Sequence, residues 1–154
     1  MTPYRALLVL FLISPSIFAQ NEEKDIKKVI DTFFDGMREA DSLKIKSTVI
    51  KDCTLRSVII NGKTDMTQLS NTDIAEFITG VCNHRKGKTY DERLLSYDIK
   101  IDGKMGIAWT PYRFYLNDKF LHCGVNVFSL ALYDEGWKII SILDTRRKST
   151  CEED

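Results

Sequence analysis

Residues 104–147 read KMGIAWTPYRFYLNDKFLHCGVNVFSLALYDEGWKIISILDTRR, and most of the predicted sheet follows from them. Aromatic and β-branched side chains alternate with polar ones through three runs, which is the pattern of β-strands. Turn residues separate the runs at Asn117-Asp118 and again at Asp134-Glu135-Gly136. The stretch therefore predicts three consecutive antiparallel strands joined by tight turns.

Counting outward from each turn predicts which residues of neighbouring strands lie opposite one another. We expect these facing pairs: Leu116 with Phe120, Tyr112 with Gly124, Thr110 with Asn126, Tyr133 with Trp137, Asn126 with Asp144, and Gly124 with Arg146. Upstream, Asp102-Gly103 is a strong hairpin signal, and it predicts that Tyr97 lies beside Ala108.

Alternation along these strands sorts their side chains onto two faces. The first face gathers the residues that we predict to bind a ligand: Thr110, Tyr112, His122, Asn126, Asp144 and Arg146, with Tyr97 and Phe128. Such a face suits a small-molecule site, because these sites are mostly apolar cavities with a few convergent polar groups. The second face, which also carries Ile139, is predicted to contact a second copy of the chain in a homodimer through Trp109, Tyr115, Val125, Val127 and Trp137.

The composition is that of one ordinary globular domain. The 154 residues include 22 basic and 22 acidic side chains and 44% hydrophobic residues, which excludes long disorder. No basic cluster occurs beyond Arg146-Arg147-Lys148, so nucleic acid and anionic membranes are not expected partners. We expect no metal and no cofactor, because His84 and His122 are the only histidines and neither belongs to a ligand-spaced motif.

The N-terminal segment predicts export. Arg5 precedes an apolar run over 6–13 and a small-residue exit over 14–19, the pattern of a secretory signal peptide cleaved after Ala19. The apolar run is shorter than the ~20 residues that a membrane span needs. We therefore expect a periplasmic or secreted protein with a signal peptide (1–19), one domain (20–147) and a charged tail (148–154).

Export changes the interpretation of Cys53, Cys82, Cys123 and Cys151. An even number of cysteines in an oxidising compartment permits disulfides, but their wide spacing selects no pairing. The alternatives are buried thiols, since cysteine is often a small buried hydrophobe, or one disulfide. Neither alternative gives the cysteines a catalytic role.

Upstream of the sheet, apolar residues recur at the helical period. The first helix is predicted to begin at an Asn21 cap, and its apolar stripe comprises Ile26, Val29, Ile30, Phe33, Phe34 and Met37. Asp41 or Ser42 is predicted to cap a short second helix. Ser70 and Asp73 form a capping arrangement for a third.

Between the second and third helices we expect a hairpin, with strands over 53–60 and 63–68 joined by an Asn61-Gly62 turn. A polar loop over 84–90 then leads to four longer strands. Helices followed by a mainly antiparallel sheet define the α+β class.

The order of these elements resembles the nuclear transport factor 2-like superfamily. Three stretches carry the resemblance more locally: AWTPY (108–112), HCGVNVF (122–128) and GWKIISILDTR (136–146). They look like exported bacterial members described as polyketide-cyclase-like or lumazine-binding-like domains. The resemblance implies a strongly curved sheet wrapped around the first helix, forming a cone with an internal cavity. It does not imply one activity, because a scaffold of this kind hosts many functions.

Ketosteroid isomerase belongs to the same superfamily and uses a tyrosine and a carboxylate in its cavity. Aligned on Ala40-Asp41 and Lys51-Asp52, this sequence has Phe33 at the tyrosine position and Ser57 near the carboxylate position. Both groups are missing, so the resemblance does not imply isomerase activity.

Three functions remain open at this point. The first is an exported small-molecule-binding domain with an apolar cavity. The second is an isomerase, dehydratase or cyclase using acid–base chemistry, although His122 and Asp144 are offset by ~13 Å along the predicted sheet. The third is a dimerisation module whose cavity is filled by its own side chains. A cavity approaching ~300 Å³ would separate the first two from the third.

Overall fold

The computed structural model describes residues 16–60, 66–83, 87–148 and 151, with side chains from Asn21 onward. Most of the predicted signal peptide lies outside the described residues, as do the Asn61-Gly62 turn, His84 and most of the charged tail. The elements in chain order are α1 (Ser16–Glu39), α2 (Ser42–Thr48), β1 (Val49–Ile60), β2 (Thr67–Asp73), α3 (Ile74–Cys82), β3 (Tyr90–Leu94), β4 (Asp98–Asp102), β5 (Met105–Leu116), β6 (Lys119–Tyr133) and β7 (Gly136–Thr145).

The strands form one mixed, curved sheet in the order β2-β1-β7-β6-β5-β3, with β4 also paired to β5. The α+β class is confirmed. The four final strands that we predicted are five, because β3 and β4 are separate strands along β5. The β1–β7 pair is parallel, which the sequence did not predict, since it joins strands from the two ends of the fold.

The first helix packs against the inner face of the sheet. Ile26, Ile30, Phe33, Phe34 and Met37 are all buried, which confirms the apolar stripe. α1 contacts β3 and β4 near one end of the sheet and β7 nearer its middle, so the sheet wraps around it. The helix begins at Ser16, and the predicted cap at Asn21 is therefore wrong.

The other two helices begin at aspartate caps. The Asp41 side chain accepts hydrogen bonds from the backbone N–H groups of Leu43 and Lys44, and Asp73 caps α3 in the same way. Ser70 does not contribute, because it lies within β2 opposite Ser57. The predicted bounds of β2 are too early, since pairing with β1 continues as far as Asp73.

The β5–β6 hairpin has a two-residue turn, whereas we predicted a three-residue loop between Leu116 and Phe120. Asn117 and Asp118 have positive φ angles of 51° and 60°, as the tightest hairpin turns require. Leu121 is then an extra residue on β6, which makes a β-bulge. The predicted pairing of Leu116 with Phe120 is therefore wrong. Past the bulge the register matches the prediction again, with Tyr112 facing Gly124 and Thr110 facing Asn126.

The β6–β7 hairpin repeats this design with a larger consequence. Tyr133 faces Gly136 instead of Trp137, and Ile140 is the extra residue. Between turn and bulge, the side chains of β7 point to the opposite face from the predicted one. Trp137 and Ile139 are 4% and 0% exposed, so they belong to the core, and their predicted position on the outer face is wrong.

The β4–β5 hairpin also differs from the predicted register. Its two-residue turn is Gly103-Lys104 instead of Asp102-Gly103, so Ala108 faces Ile99 and not Tyr97. Tyr97 precedes β4 and donates its hydroxyl hydrogen to Asp31 on α1. It lies apart from the polar face of the sheet.

A disulfide between Cys123 and Cys151 joins the C-terminal tail to β6. This is the single-disulfide alternative left open by the sequence. Cys53 is a buried thiol, and burial raises its pKa to about 11, which makes it a poor nucleophile.

Candidate functional site

A cavity of about 620 Å³ lies between the inner face of the sheet, α1 and α3. Its walls are largely apolar and comprise Phe33, Phe34, Met37, Leu55, Phe77, Val81, Tyr90, Phe114, Leu121 and Ile142. The volume falls in the range of small-molecule sites, which starts at ~300 Å³. The hypothesis of a cone filled by its own side chains is therefore wrong.

Five of the eight predicted site residues line this cavity: Tyr112, His122, Asn126, Asp144 and Arg146. The other three do not. Thr110 and Phe128 are fully buried in the protein interior. Tyr97 lines a smaller cavity of about 300 Å³, together with Asp31, Asp35, Arg38 and Arg93.

One polar row crosses the inner face of the sheet. Ser57, Asp144, Asn126 and Thr110 face one another on the adjacent strands β1, β7, β6 and β5. The pairs Thr110–Asn126 and Asn126–Asp144 are as predicted, and the parallel β1–β7 pairing adds Ser57. At the far end, the Thr110 hydroxyl is buried without a hydrogen-bond partner among the described residues.

Asp144 is the centre of a closed group of three side chains. Its Oδ1 accepts a hydrogen bond from Ser57 Oγ, and its Oδ2 accepts one from Arg146 Nε over 2.9 Å. A terminal nitrogen of Arg146 donates to Ser57 Oγ over 3.0 Å. Position 57 of β1 therefore carries a serine where ketosteroid isomerase has a carboxylate. The neighbouring strand β7 supplies a carboxylate, that of Asp144, in contact with Ser57.

The Tyr112 hydroxyl lies between His122 and Asp144, which we expected to be far apart. The hydroxyl donates to the Thr145 carbonyl oxygen over 2.9 Å. His122 Nδ1 and Asp144 Oδ2 each lie 3.4 Å from the same hydroxyl oxygen, so they are at most about 7 Å apart. The predicted offset of ~13 Å is therefore too large. Burial raises the pKa of Tyr112, so the hydroxyl keeps its proton.

His122 stands against Phe114, which faces it on β5. The two rings stack with centroids 4.9 Å apart. Burial lowers the pKa of His122, and the positive charges of Arg146 and Lys148 lower it further, although Asp144 opposes them. The imidazole is therefore uncharged at neutral pH.

Glu92 on β3 is a polar cavity residue that the sequence did not reveal. Its Oε1 accepts a hydrogen bond of 2.6 Å from Asn126 Nδ2. Glu92 is only partly exposed, and the burial of its carboxyl group raises its pKa to about 8. Asp144 raises the pKa further, whereas Asn126 and Arg146 lower it. Glu92 is therefore mainly uncharged at pH 7.

A local signal for Glu92 does exist. Tyr90 and Glu92 alternate along β3, and both line the cavity. The intervening Asp91 is bound by Arg38 and Arg93 over 2.7 Å each. A short, charged segment of this kind looks like a loop until its pairing with β5 is known.

Among residues 16–60, 66–83, 87–148 and 151, no group of three His, Cys, Asp or Glu side chains could hold a metal ion. Within the same ranges, no helix is both long and apolar enough to cross a membrane.

Residues 21–143 match the protein family described as "Putative lumazine-binding". The chain belongs to this lumazine-binding-like family. The match covers most of the sequence and confirms the resemblance on which the fold was predicted. No curated protein matches the sequence at a significant level.

Solved structures share the fold of this lumazine-binding-like chain. An NTF2-like protein of unknown function from Shewanella baltica is 16% identical with a TM-score of 0.61, over 84% of this chain and 97% of that one. An NTF2-like protein with a cystatin-like fold from Novosphingobium aromaticivorans is 10% identical with a TM-score of 0.67, over 95% of both chains. A "putative dehydratase" of the NTF2-like family from Streptomyces avermitilis is 10% identical with a TM-score of 0.64, over 85% and 99%. These identities establish the fold alone.

The polar groups deep in this lumazine-binding-like cavity carry little net charge. Asp144 is paired with Arg146, while Glu92 and His122 are mainly uncharged at pH 7 for the reasons given above. Glu76 on α3 also lines the cavity, but it is exposed.

Proposed function

We propose that this protein is an exported binding protein for an uncharged, largely apolar small molecule held in the cone cavity. The observation that carries the proposal is a 620 Å³ apolar cavity whose deep ionisable groups are either paired or neutral. A charged ligand would lose its hydration there without meeting an unpaired counterion, which is costly. An uncharged ligand with a few polar atoms meets no such penalty.

Aromatic side chains support a ring-shaped ligand. Phe33 and Phe77 stack with centroids 5.8 Å apart on one wall, and Phe114 and His122 stack on another. Such walls offer favourable faces and edges to a planar molecule. The family description names lumazine, a planar bicyclic compound, and lumazine is therefore the first probe to use.

Native mass spectrometry of the protein purified from an exporting host is the direct test. We expect a bound small molecule, or binding of added lumazine by titration. Gly80 supplies a matched pair of variants, because it lines the cavity and a Cβ atom there has nothing within 4 Å. Gly80→Trp fills the cavity and is expected to abolish binding, whereas Gly80→Ala is expected to retain it. Equal binding by both variants, or no ligand in either experiment, would contradict the proposal.

Export is the second part of the proposal. The first buried side chain described in α1 is Ile26, so cleavage after Ala19 removes no described core residue. The Cys123–Cys151 disulfide is also typical of an oxidising compartment. We expect the full chain in the periplasm or medium, beginning at Gln20 by N-terminal sequencing. A chain that starts at Gln20 after an initiator Met is the control and is expected to stay in the cytoplasm; an uncleaved cytoplasmic full chain would contradict export.

We also propose that a second copy covers the outer face of the sheet. Asp98, Trp109, Val127, Leu143 and Arg56 form one outward row across five strands. Trp109 is 53% exposed and Leu143 is 39% exposed, so the middle of the row is an apolar patch. Trp137 does not take part, because it lies in the core.

The two ends of this row carry opposite charges. A two-fold axis parallel to the strands would place Asp98 of each copy opposite Arg56 of the other. We expect Trp109→Glu to give monomers in analytical ultracentrifugation. Asp98→Arg is expected to weaken the dimer, and Asp98→Arg with Arg56→Asp to restore it. A monomeric wild type, or a dimer unaffected by Trp109→Glu, would contradict this interface.

Acid–base catalysis is the second candidate function, and one observation favours it. Glu92 has a pKa near 8 inside a cavity, which suits proton transfer near neutral pH. Once a ligand is identified, its conversion by the wild type can be compared with that by Glu92→Gln and Asp144→Asn. Turnover that is unchanged in both variants, or absent in the wild type, would leave binding as the function.

A further inference from the structure

We propose that Glu92 and Asn126 together recognise the N–H and C=O edge of a cyclic amide, so that the ligand is a planar lactam or imide. This inference rests on the proposed binding function and deepens it. It assigns a specificity-determining pair to the cavity and a chemical class to the ligand.

The two side chains lie side by side at the cavity wall. Asn126 Nδ2 donates to Glu92 Oε1 over 2.6 Å, which fixes both groups relative to each other. Among the described residues, the remaining oxygens, Glu92 Oε2 and Asn126 Oδ1, have no hydrogen-bond partner. In the described part of the chain, the Thr110 hydroxyl oxygen is the only fully enclosed side-chain nitrogen or oxygen atom that makes no hydrogen bond. Glu92 Oε2 and Asn126 Oδ1 are therefore not fully enclosed, and both residues line the cavity.

These two oxygens have complementary roles. Because Glu92 Oε1 already accepts a hydrogen bond, the proton of the uncharged carboxyl group resides on Oε2 and can be donated. Asn126 Oδ1 is an acceptor. A donor beside an acceptor matches a carbonyl oxygen beside an N–H group, which is the edge of a cyclic amide.

Other polar groups of the cavity are less available. Asp144, Arg146 and Ser57 bond to one another in a closed group. The Tyr112 hydroxyl hydrogen is given to the Thr145 carbonyl oxygen. Glu92 and Asn126 thus present a donor–acceptor pair that the described residues do not already satisfy.

The test uses 2-quinolone, a planar lactam, and N-methyl-2-quinolone, which lacks the N–H group. We expect isothermal titration at pH 6.5 to show binding of 2-quinolone and at least about tenfold weaker binding of the methylated compound, the effect of one or two hydrogen bonds. Glu92→Gln keeps a donor next to Asn126 and is expected to keep the preference. Glu92→Leu and Asn126→Leu are expected to lose it.

The pH dependence of 2-quinolone binding is a second test of Glu92. A purely structural role of Glu92 would not make the affinity follow the ionisation of its carboxyl group. Binding of 2-quinolone to the wild type is expected to weaken about tenfold as the pH rises from 6.5 to 9, because ionised Glu92 cannot donate to the carbonyl. Binding to Glu92→Gln is expected to stay constant. The charged and titratable groups that line the two cavities with Glu92 are Tyr112, His122, Asp144 and Arg146 of the sheet, Tyr90 and Arg93 of its own strand, Tyr97 before β4, Asp31, Asp35 and Arg38 of α1, and Glu76 of α3.

The possible failures are distinguishable. Equal affinity for both quinolones, or a preference that persists in Glu92→Leu, would overturn the lactam assignment while leaving a binding protein. A co-purified ligand that is neither a lactam nor an imide, with neither quinolone bound, would do the same. If neither quinolone binds and no ligand is found by native mass spectrometry, both proposals fail.

Discussion

Asn126 Nδ2 donates a hydrogen bond of 2.6 Å to Glu92 Oε1, although β5 lies between their strands in the sheet. The bond therefore crosses the inner face of β5, where the sheet curves towards the cavity. It joins a carboxyl group whose pKa burial raises to a residue that is itself 3% exposed. We expect the stability of the fold to depend on this contact, and the proposed recognition of a cyclic amide rests on it as well.

Replacing Asn126 by Ala is expected to lower the free energy of unfolding by about 1–3 kcal/mol, because Glu92 loses its partner inside the protein. Denaturant unfolding at pH 6.5 measures the change. Asn71→Ala is the control, since Asn71 is exposed on β2, and it is expected to change stability by less than about 0.5 kcal/mol. Equal effects of the two substitutions would show that the bond contributes nothing.

The pH dependence of stability follows from Glu92. Its pKa is about 8 in the folded protein and near the ordinary glutamate value when unfolded, so the folded state binds the extra proton. Protonated Glu92 therefore makes its full contribution to the free energy of unfolding below about pH 4. This contribution is lost as the pH rises towards 8, by up to ~1.4 kcal/mol per pH unit.

Glu92→Gln removes this dependence while keeping the shape of the side chain. The difference in unfolding free energy between the variant and the wild type is expected to grow in favour of the variant from pH 5 to 8. Urea unfolding of both proteins across this range measures it. A difference that stays constant would mean that Glu92 ionises normally in the folded protein.

Gly124 and Gly80 should respond oppositely to alanine. A Cβ atom at Gly124 would lie 1.8 Å from the Thr145 carbonyl oxygen, so Gly124→Ala is expected to cost more than about 3 kcal/mol or to prevent folding. Gly80 is inside α3 with open space around it, and Gly80→Ala is expected to stabilise the protein by up to about 1 kcal/mol. Thermal unfolding of both variants is the measurement, and a neutral Gly124→Ala would contradict the close approach of β6 and β7.

The disulfide should contribute about 3 kcal/mol, since it closes a loop between residues 28 positions apart. We expect reductant to lower the melting temperature of the wild type. Cys151→Ser is expected to melt at the temperature of the reduced wild type and to be insensitive to reductant. A wild type that is equally stable with and without reductant would show that the bond is absent or adds nothing.

Much of the fold could be predicted because alternation and helical period are local signals. The apolar stripe of α1 and the caps at Asp41 and Asp73 depend only on residues near in sequence. The two bulges were not predictable in this way. Each turn leaves an extra residue that can be placed at the loop or within the strand, and packing decides between them. The observed register of β7 buries Trp137 in the core, whereas the predicted register would have placed this side chain on the outer face of the sheet.

Local patterns in the sequence were enough to predict the family and the class of fold. They also predicted the polar row Thr110–Asn126–Asp144, because facing residues follow from counting along neighbouring strands. The position of Ser57 in this row and the hydrogen bond between Asn126 and Glu92 depend instead on the packing of the whole chain. These contacts join strands that are distant in sequence or not adjacent in the sheet, so no local pattern encodes them. The uncharged state of Glu92 has the same origin, since burial is a property of everything packed around the carboxyl group.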